Sequence, residues 1–145
     1  MRDRTRARGW ALQVLYAWEV RGGGDLHAVT RNVLAHRRVA PASRPYIDRL
    51  LDTVAEHRDT LDRAIQDSLT NWRLERLSLI DRNVLRLAAA EMLYFDDVPP
   101  LVSIQEAVKL AEKYGTGDSP RFVNGVLDAL MRDHGVGAVR RGGAR

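Results

Sequence analysis

Arginine stands at every second position of the N-terminus, at Arg2, Arg4, Arg6 and Arg8. A guanidinium is always charged and presents a planar fork that matches phosphate oxygens, so such a row is a candidate polyanion reader. The run does not stand alone. Ala7, Trp10, Ala11, Val14, Leu15 and Trp18 follow it with the i, i+3, i+4 spacing of one helix face, which puts the cations on the first turns of a docked helix. On that helix Arg2 and Arg6 share one face, and Arg4 and Arg8 another. A merely solubilising terminus would use the same residues.

Two further groups have the right chemistry for recognition. Residues 115–122 combine the glycine-rich Gly115-Thr-Gly117, a helix start and Arg121. Free N–H groups at a helix start attract anions, but Asp118 opposes an anion there and suits either a base edge or a cap. Phe122 suits the core or a stacking role, and free bases that splay onto aromatic rings are a property of single-stranded RNA. The third group is Tyr16, which lies off the apolar stripe, with Glu75 and Asp81 near the start of a later helix. Acids beside a tyrosine fit a basic protein partner; solvated surface explains them as well.

The same survey argues against catalysis. His27, His36, His57 and His134 are dispersed with no i, i+4 pair, and the chain has no cysteine, so neither a zinc site nor thiol chemistry is expected. Gly115-Thr-Gly117 lacks the Gly-Lys-Ser/Thr ending and preceding strand of a phosphate-binding loop. No nucleophile elbow occurs. Glu91 and Glu106 lie on apolar helices and read as an ion-pair partner and a helix cap. The chain is expected to be a non-enzyme without metal or cofactor. With no signal-peptide pattern and no run of roughly 20 apolar residues, a soluble cytoplasmic protein is expected. The net charge of +4 rests almost wholly on arginine, since Lys109 and Lys113 are the only lysines.

The elements that must position these residues are all helical in period. A first helix over residues 3–20 stops at Gly22-Gly23-Gly24. Asp25 is placed to cap a second, running to about residue 37. Ser43 is placed to cap a third, with Tyr46, Ile47, Leu50, Leu51 and Val54 as its buried face. A fourth starts near Asp59, with Leu61, Ala64, Ile65 and Leu69. Residues 79–95 are the most apolar segment and are predicted to be the central helix. Ser103-Ile-Gln-Glu106 reads as a capping box, followed by a helix to Tyr114 with Gly115 as its C-cap. Asp118-Ser-Pro120 opens the last helix. The prediction is an all-α fold of about seven helices over residues 1–135, in subdomains of about 1–58 and 59–135, with 136–145 a disordered basic tail holding Arg140, Arg141 and Arg145.

At this point the chain resembles the NusB family of transcription antitermination and ribosomal RNA factors. The matching motifs are Arg6-Ala-Arg8 before Ala11-Leu-Gln-Val-Leu-Tyr16, Asn71-Trp72 before Leu77, Ile80-Asp-Arg-Asn-Val-Leu-Arg-Leu-Ala88, Glu91, Val98-Pro99, Ser103-Ile-Gln-Glu-Ala107 and Phe122-Val-Asn-Gly-Val-Leu-Asp128. They keep the family's order from about Arg4 to Met131. The resemblance implies two small helical bundles packed across each other. It implies binding of single-stranded boxA RNA together with NusE, a small-subunit ribosomal protein, within an RNA polymerase elongation complex that holds other Nus factors. It places RNA at Arg4, Arg6, Arg8, Asp118, Arg121 and Phe122, and NusE at Tyr16, Glu75 and Asp81. Some family members also form homodimers through the RNA-binding face. Thr5 interrupts a basic cluster that is often denser, which implies weak affinity for RNA alone. Two alternatives stay open: the helical accessory domain of an RNA cytosine methyltransferase, and a protein-interaction module that binds no RNA.

Overall fold

The computed structural model describes residues 2–134; the basic tail predicted at 136–145 lies outside them. Among the described residues there are six α-helices, two short 3-10 turns and no strand. They are α1 (Arg2–Val20), α2 (Leu26–Leu34), α3 (Arg44–Ser68), α4 (Leu79–Tyr94), α5 (Pro100–Tyr114) and α6 (Ser119–Asp133), with the 3-10 turns at Pro41–Ser43 and Leu74–Arg76.

α4 is the hub, touching α1, α3, α5 and α6. Its apolar composition is the reason: Val84, Leu85, Leu87, Ala88, Ala89, Ala90 and Met92 are all buried, so no side of the middle turns is left for water. α1 docks through Ala7, Ala11, Leu12, Val14, Leu15 and Trp18; the predicted stripe holds except that Leu12 joins it and Trp10 is only half-buried. Burying such side chains is worth about 1.5–3 kcal/mol for each large one.

The difference in helix count has a local cause. The segments expected as a third and fourth helix run together as α3, but His57 leaves helical geometry at φ −116°, ψ 22°. Its ring stacks on Tyr94 at 3.9 Å between centroids and 14° between planes. The kink thus replaces the expected break near residue 58, and both halves keep their apolar faces on the core through Ile47, Leu50 and Val54, then Leu61 and Ile65.

The caps divide. Asp25 accepts from the His27 N–H as expected. Ser43 does not cap α3; its hydroxyl donates instead to the Asp3 carbonyl. The Ser103–Glu106 capping box is also overturned. Pro99-Pro100 starts α5 four residues earlier, because the fixed proline φ suits a first turn, and this leaves both residues inside the helix. The Ser103 hydroxyl is buried with no partner among the described residues, and Glu106 serves a different purpose described below.

Gly115 closes α5 as predicted. A Cβ there would stand 2.5 Å from Ser119 Oγ and 2.6 Å from Ser119 Cβ, too close for any other residue. That side chain accepts from the Thr116 N–H at 3.0 Å, while the Ser119 N–H donates back to the Thr116 carbonyl at 3.1 Å. The α5–α6 junction is therefore built by Ser119, and Asp118, with no side-chain cap bond, keeps its carboxylate exposed.

Candidate nucleic-acid and partner surfaces

The four arginines of α1 meet four different fates, and helical phase decides them. Arg8 points inward and is 4 % exposed. Its Nε donates to Glu91 Oε2 at 2.7 Å and its Nη1 to Glu106 Oε1 at 3.0 Å. Tyr46 donates to the same Glu91 oxygen at 2.6 Å, Thr5 to Glu106 Oε1 at 2.6 Å, and Lys109 to Glu106 Oε2 at 2.9 Å. One buried knot thereby ties α1, α3, α4 and α5. Burial works against the charged form of Glu106, but the hydrogen bonds from Thr5 and Lys109 and the charge of Arg8 outweigh it and hold its carboxyl below the ordinary value. Arg8 itself is pushed the opposite way: desolvation lowers it, and the Glu91 charge and hydrogen bond more than restore it. The reading of Arg8 as one of a row of cations open to a polyanion is corrected: its guanidinium is committed to two carboxylates inside the protein.

Arg4, one turn earlier on the same face, bonds Asp97 at 2.8 Å and lies over the Tyr46 ring. Arg2 and Arg6 face the other way. Both are exposed, and neither has an ion-pair partner among the described residues.

Arg6 borders a concavity of about 400 Å³ between α1 and α5. Arg38, Lys109 and Lys113 join it on the walls, with Trp10 and Tyr114 between them. Four cations from three chain segments and two aromatic rings therefore converge, against one carboxylate, Glu106, already bonded to Lys109. Sequence reading missed Arg38 and the two lysines. Their signal was present, since Lys109 and Lys113 lie four residues apart on one helix face, but nothing local said which element they face.

A separate concavity lies at the α5–α6 junction, which follows Tyr114 in the chain. There Phe122 meets Trp72 edge-on at 6.4 Å. Both rings border a concavity of about 310 Å³ with Asp81 and Asp118. Phe122 is half-buried, so it is partly core and partly surface, while Arg121 is exposed. Asp81, expected on the protein-facing surface, thus shares a site with Asp118 and Phe122, expected on the RNA side.

Tyr16 is 43 % exposed and borders a larger groove of about 730 Å³ between α1 and α2, with Ala17, Val33, His36, Arg37 and Ile80 on its walls. Ile80 and Asp81, adjacent on α4, therefore separate two grooves. Glu75 sits outside both, exposed on the 3-10 turn and paired with Arg73 at 3.0 Å. Among the described residues no three His, Cys, Asp or Glu side chains form a metal-binding group, and no helix is long and apolar enough to cross a membrane.

An all-α bundle with a cationic, aromatic-lined groove beside a second groove of mixed polar and apolar lining fits a helical RNA- and protein-binding class. Residues 5–132 match the NusB family. The NusB transcription antitermination protein of Anaeromyxobacter dehalogenans is 45 % identical over 139 residues, covering 96 % of each chain. That of Chloroherpeton thalassium is 42 % identical over 132 residues, and the chain spans 62 % of that longer relative. A crystal structure of the antitermination factors NusB and NusE in complex with double-stranded RNA superposes with a TM-score of 0.83 at 31 % identity, over 92 % of this chain and 98 % of that one. The chain belongs to the NusB family, whose members are non-enzymatic transcription antitermination factors.

Proposed function

We propose that the protein binds single-stranded boxA-type RNA along the α1–α5 groove and joins NusE through the Tyr16 groove, so suppressing premature termination of ribosomal RNA transcription by the polymerase elongation complex in the cytoplasm. One observation carries this reading: Arg6, Arg38, Lys109 and Lys113 converge on one groove that also exposes Trp10 and Tyr114. Cations neutralise phosphates and set register, whereas base edges and stacking supply preference. Arg6 is the leading phosphate contact in the groove, with Arg121 beyond it, while Arg4 stands on the opposite side of α1 beside Asp97. Asp118 and Phe122 face the bases beyond Tyr114. Arg8 acts through position, by holding α1 against α4 and α5. NusE occupies the Tyr16 groove and extends past Ile80 to Asp81 and to Glu75 on the 3-10 turn outside that groove. The solved complex of a NusB with NusE and double-stranded RNA supports the pairing of partners, and a groove open to stacking favours single strands over duplex here.

Filter binding of a boxA RNA across a salt series tests the groove. With about three phosphates neutralised, the log–log slope is roughly −2 on a single strand. Replacing both Arg6 and Lys109 by Gln is expected to weaken binding and flatten the slope by roughly 1.4. An unchanged slope removes the groove from the mechanism. In the presence of NusE, boxA should be preferred over a scrambled RNA in a gel shift, and over the same sequence as a duplex. Equal binding to scrambled RNA overturns sequence preference, and preference for duplex overturns the single-strand assignment. A homodimer through the basic face would hide the same groove, so added RNA would shift light scattering toward monomer.

A further inference from the structure

Arg4 is not alone on Asp97. From α3, Arg49 approaches the same carboxylate with both terminal nitrogens, Nη1 to Oδ2 at 3.1 Å and Nη2 to Oδ1 at 2.8 Å, while Arg4 Nη2 reaches Oδ2 at 2.8 Å. Two guanidiniums from separate helices thus converge on one oxyanion. Each also rests on an aromatic floor that does not depend on Asp97. The Arg49 guanidinium lies 3.8 Å from the centre of the Phe95 ring, and that of Arg4 lies 4.5 Å from Tyr46. Tyr46 is itself fixed by its bond to Glu91. Each guanidinium thus has a favourable ring contact that does not involve Asp97. Asp97 sits on the short α4–α5 turn with its side chain about half exposed, and an open concavity of about 430 Å³ adjoins Arg4, Tyr46 and Arg49.

We infer that Arg4 and Arg49 form a second phosphate seat, on the side of α1 turned away from the groove, which Asp97 fills in the RNA-free protein as an internal competitor. The inference rests on the RNA-binding reading above. A carboxylate and a phosphate offer the same fork the same pair of oxygens, so an RNA phosphate takes the seat by displacing Asp97. The displaced carboxylate then recruits a counterion of its own, so in the native protein this seat adds little to the salt slope. Removing the carboxylate's charge exposes it.

The test compares the native protein with Asp97→Asn, Arg49→Gln, the double variant, Asp96→Asn and Arg6→Gln, each confirmed folded by circular dichroism, using the single-stranded RNA above. Asp97→Asn is expected to tighten binding roughly fivefold and to steepen the slope by roughly 0.7, one further phosphate. The double variant should lose that gain. Asp96→Asn makes the same charge change one residue away on an exposed position and should give much less. If Asp97→Asn changes neither affinity nor slope while Arg6→Gln still weakens binding, the cluster is only a structural ion pair and the groove reading survives. If the gain persists without Arg49, or Asp96→Asn matches it, the seat is overturned in favour of a general field effect. If neither Asp97→Asn nor Arg6→Gln has any effect, both readings fall.

Discussion

Arg6 and Arg8 are chemically identical and two residues apart, yet one lines an open groove and the other is enclosed between Glu91 and Glu106. A buried guanidinium is tolerable only because its donors meet carboxylates, and removing one partner of such a set costs about 3–5 kcal/mol. Arg8→Ala should therefore lower stability by about that amount in urea denaturation, with RNA affinity per folded molecule falling much less than for Arg6→Gln. A stable Arg8→Ala protein that has lost RNA binding would return Arg8 to the direct contacts. Ser103 gives the opposite expectation. Its buried hydroxyl has no partner among the described residues, and an unmet polar group costs about 1–3 kcal/mol of desolvation. Ser103→Ala should be neutral or stabilising, whereas loss of a helix cap would cost about 1 kcal/mol; the urea midpoint separates the two.

Helix ends and bends aim the side chains that recognise a ligand. At the α5–α6 junction the missing Cβ of Gly115 admits Ser119, whose hydroxyl takes the Thr116 N–H. Forcing a methyl into that space must shift backbone, and overpacking of this kind costs about 1–3 kcal/mol. Gly115→Ala is expected to lower the melting temperature and, by moving the start of α6, to weaken RNA binding at Asp118 and Phe122 beyond what stability accounts for. Unchanged melting would mean the junction relaxes freely. Helices themselves were legible in the sequence, because apolar spacing at 3.6 residues is a local property that Leu61, Ala64 and Ile65 display without reference to the rest. The start of α5 was misread because two local signals competed: Ser103–Glu106 has the pattern of a capping box, but Pro99-Pro100 fixes the first turn. The His57 kink was seen only as a boundary, since the Tyr94 ring that stacks on it lies far along the chain.

Across the whole molecule, the acidic limb of stability reports the cation clusters. Asp97 is held well below the usual carboxylate range, chiefly by the Arg49 hydrogen bond, with burial opposing and Arg4 assisting; Glu106 is lowered as described. A carboxyl lowered by folding contributes stability that is complete above its unfolded value and is lost as pH falls through the folded one. With ordinary values of 3.8 and 4.5, both contributions should be intact above about pH 4.5 and decline below it. Thermal melts of Glu106→Gln between pH 7 and pH 3 should show a lower plateau and a shallower acid decline than the native protein. Parallel curves would remove Glu106 from the acid response.

Amphipathic periods, breakers and ordered motifs determined the helical class, the central place of α4 and membership of the NusB family, because each is written in residues close together in the chain. Which cations are free was decided only by tertiary structure. Arg8 finds Glu91 and Glu106 across 83 and 98 residues, and Arg4 finds Asp97 across 93. Lys109 and Lys113 reach the groove only because α5 packs beside α1. Local spacing sets which side of a helix a charge occupies. Only the packing of helices decides whether that side meets a carboxylate, a second cation or open water.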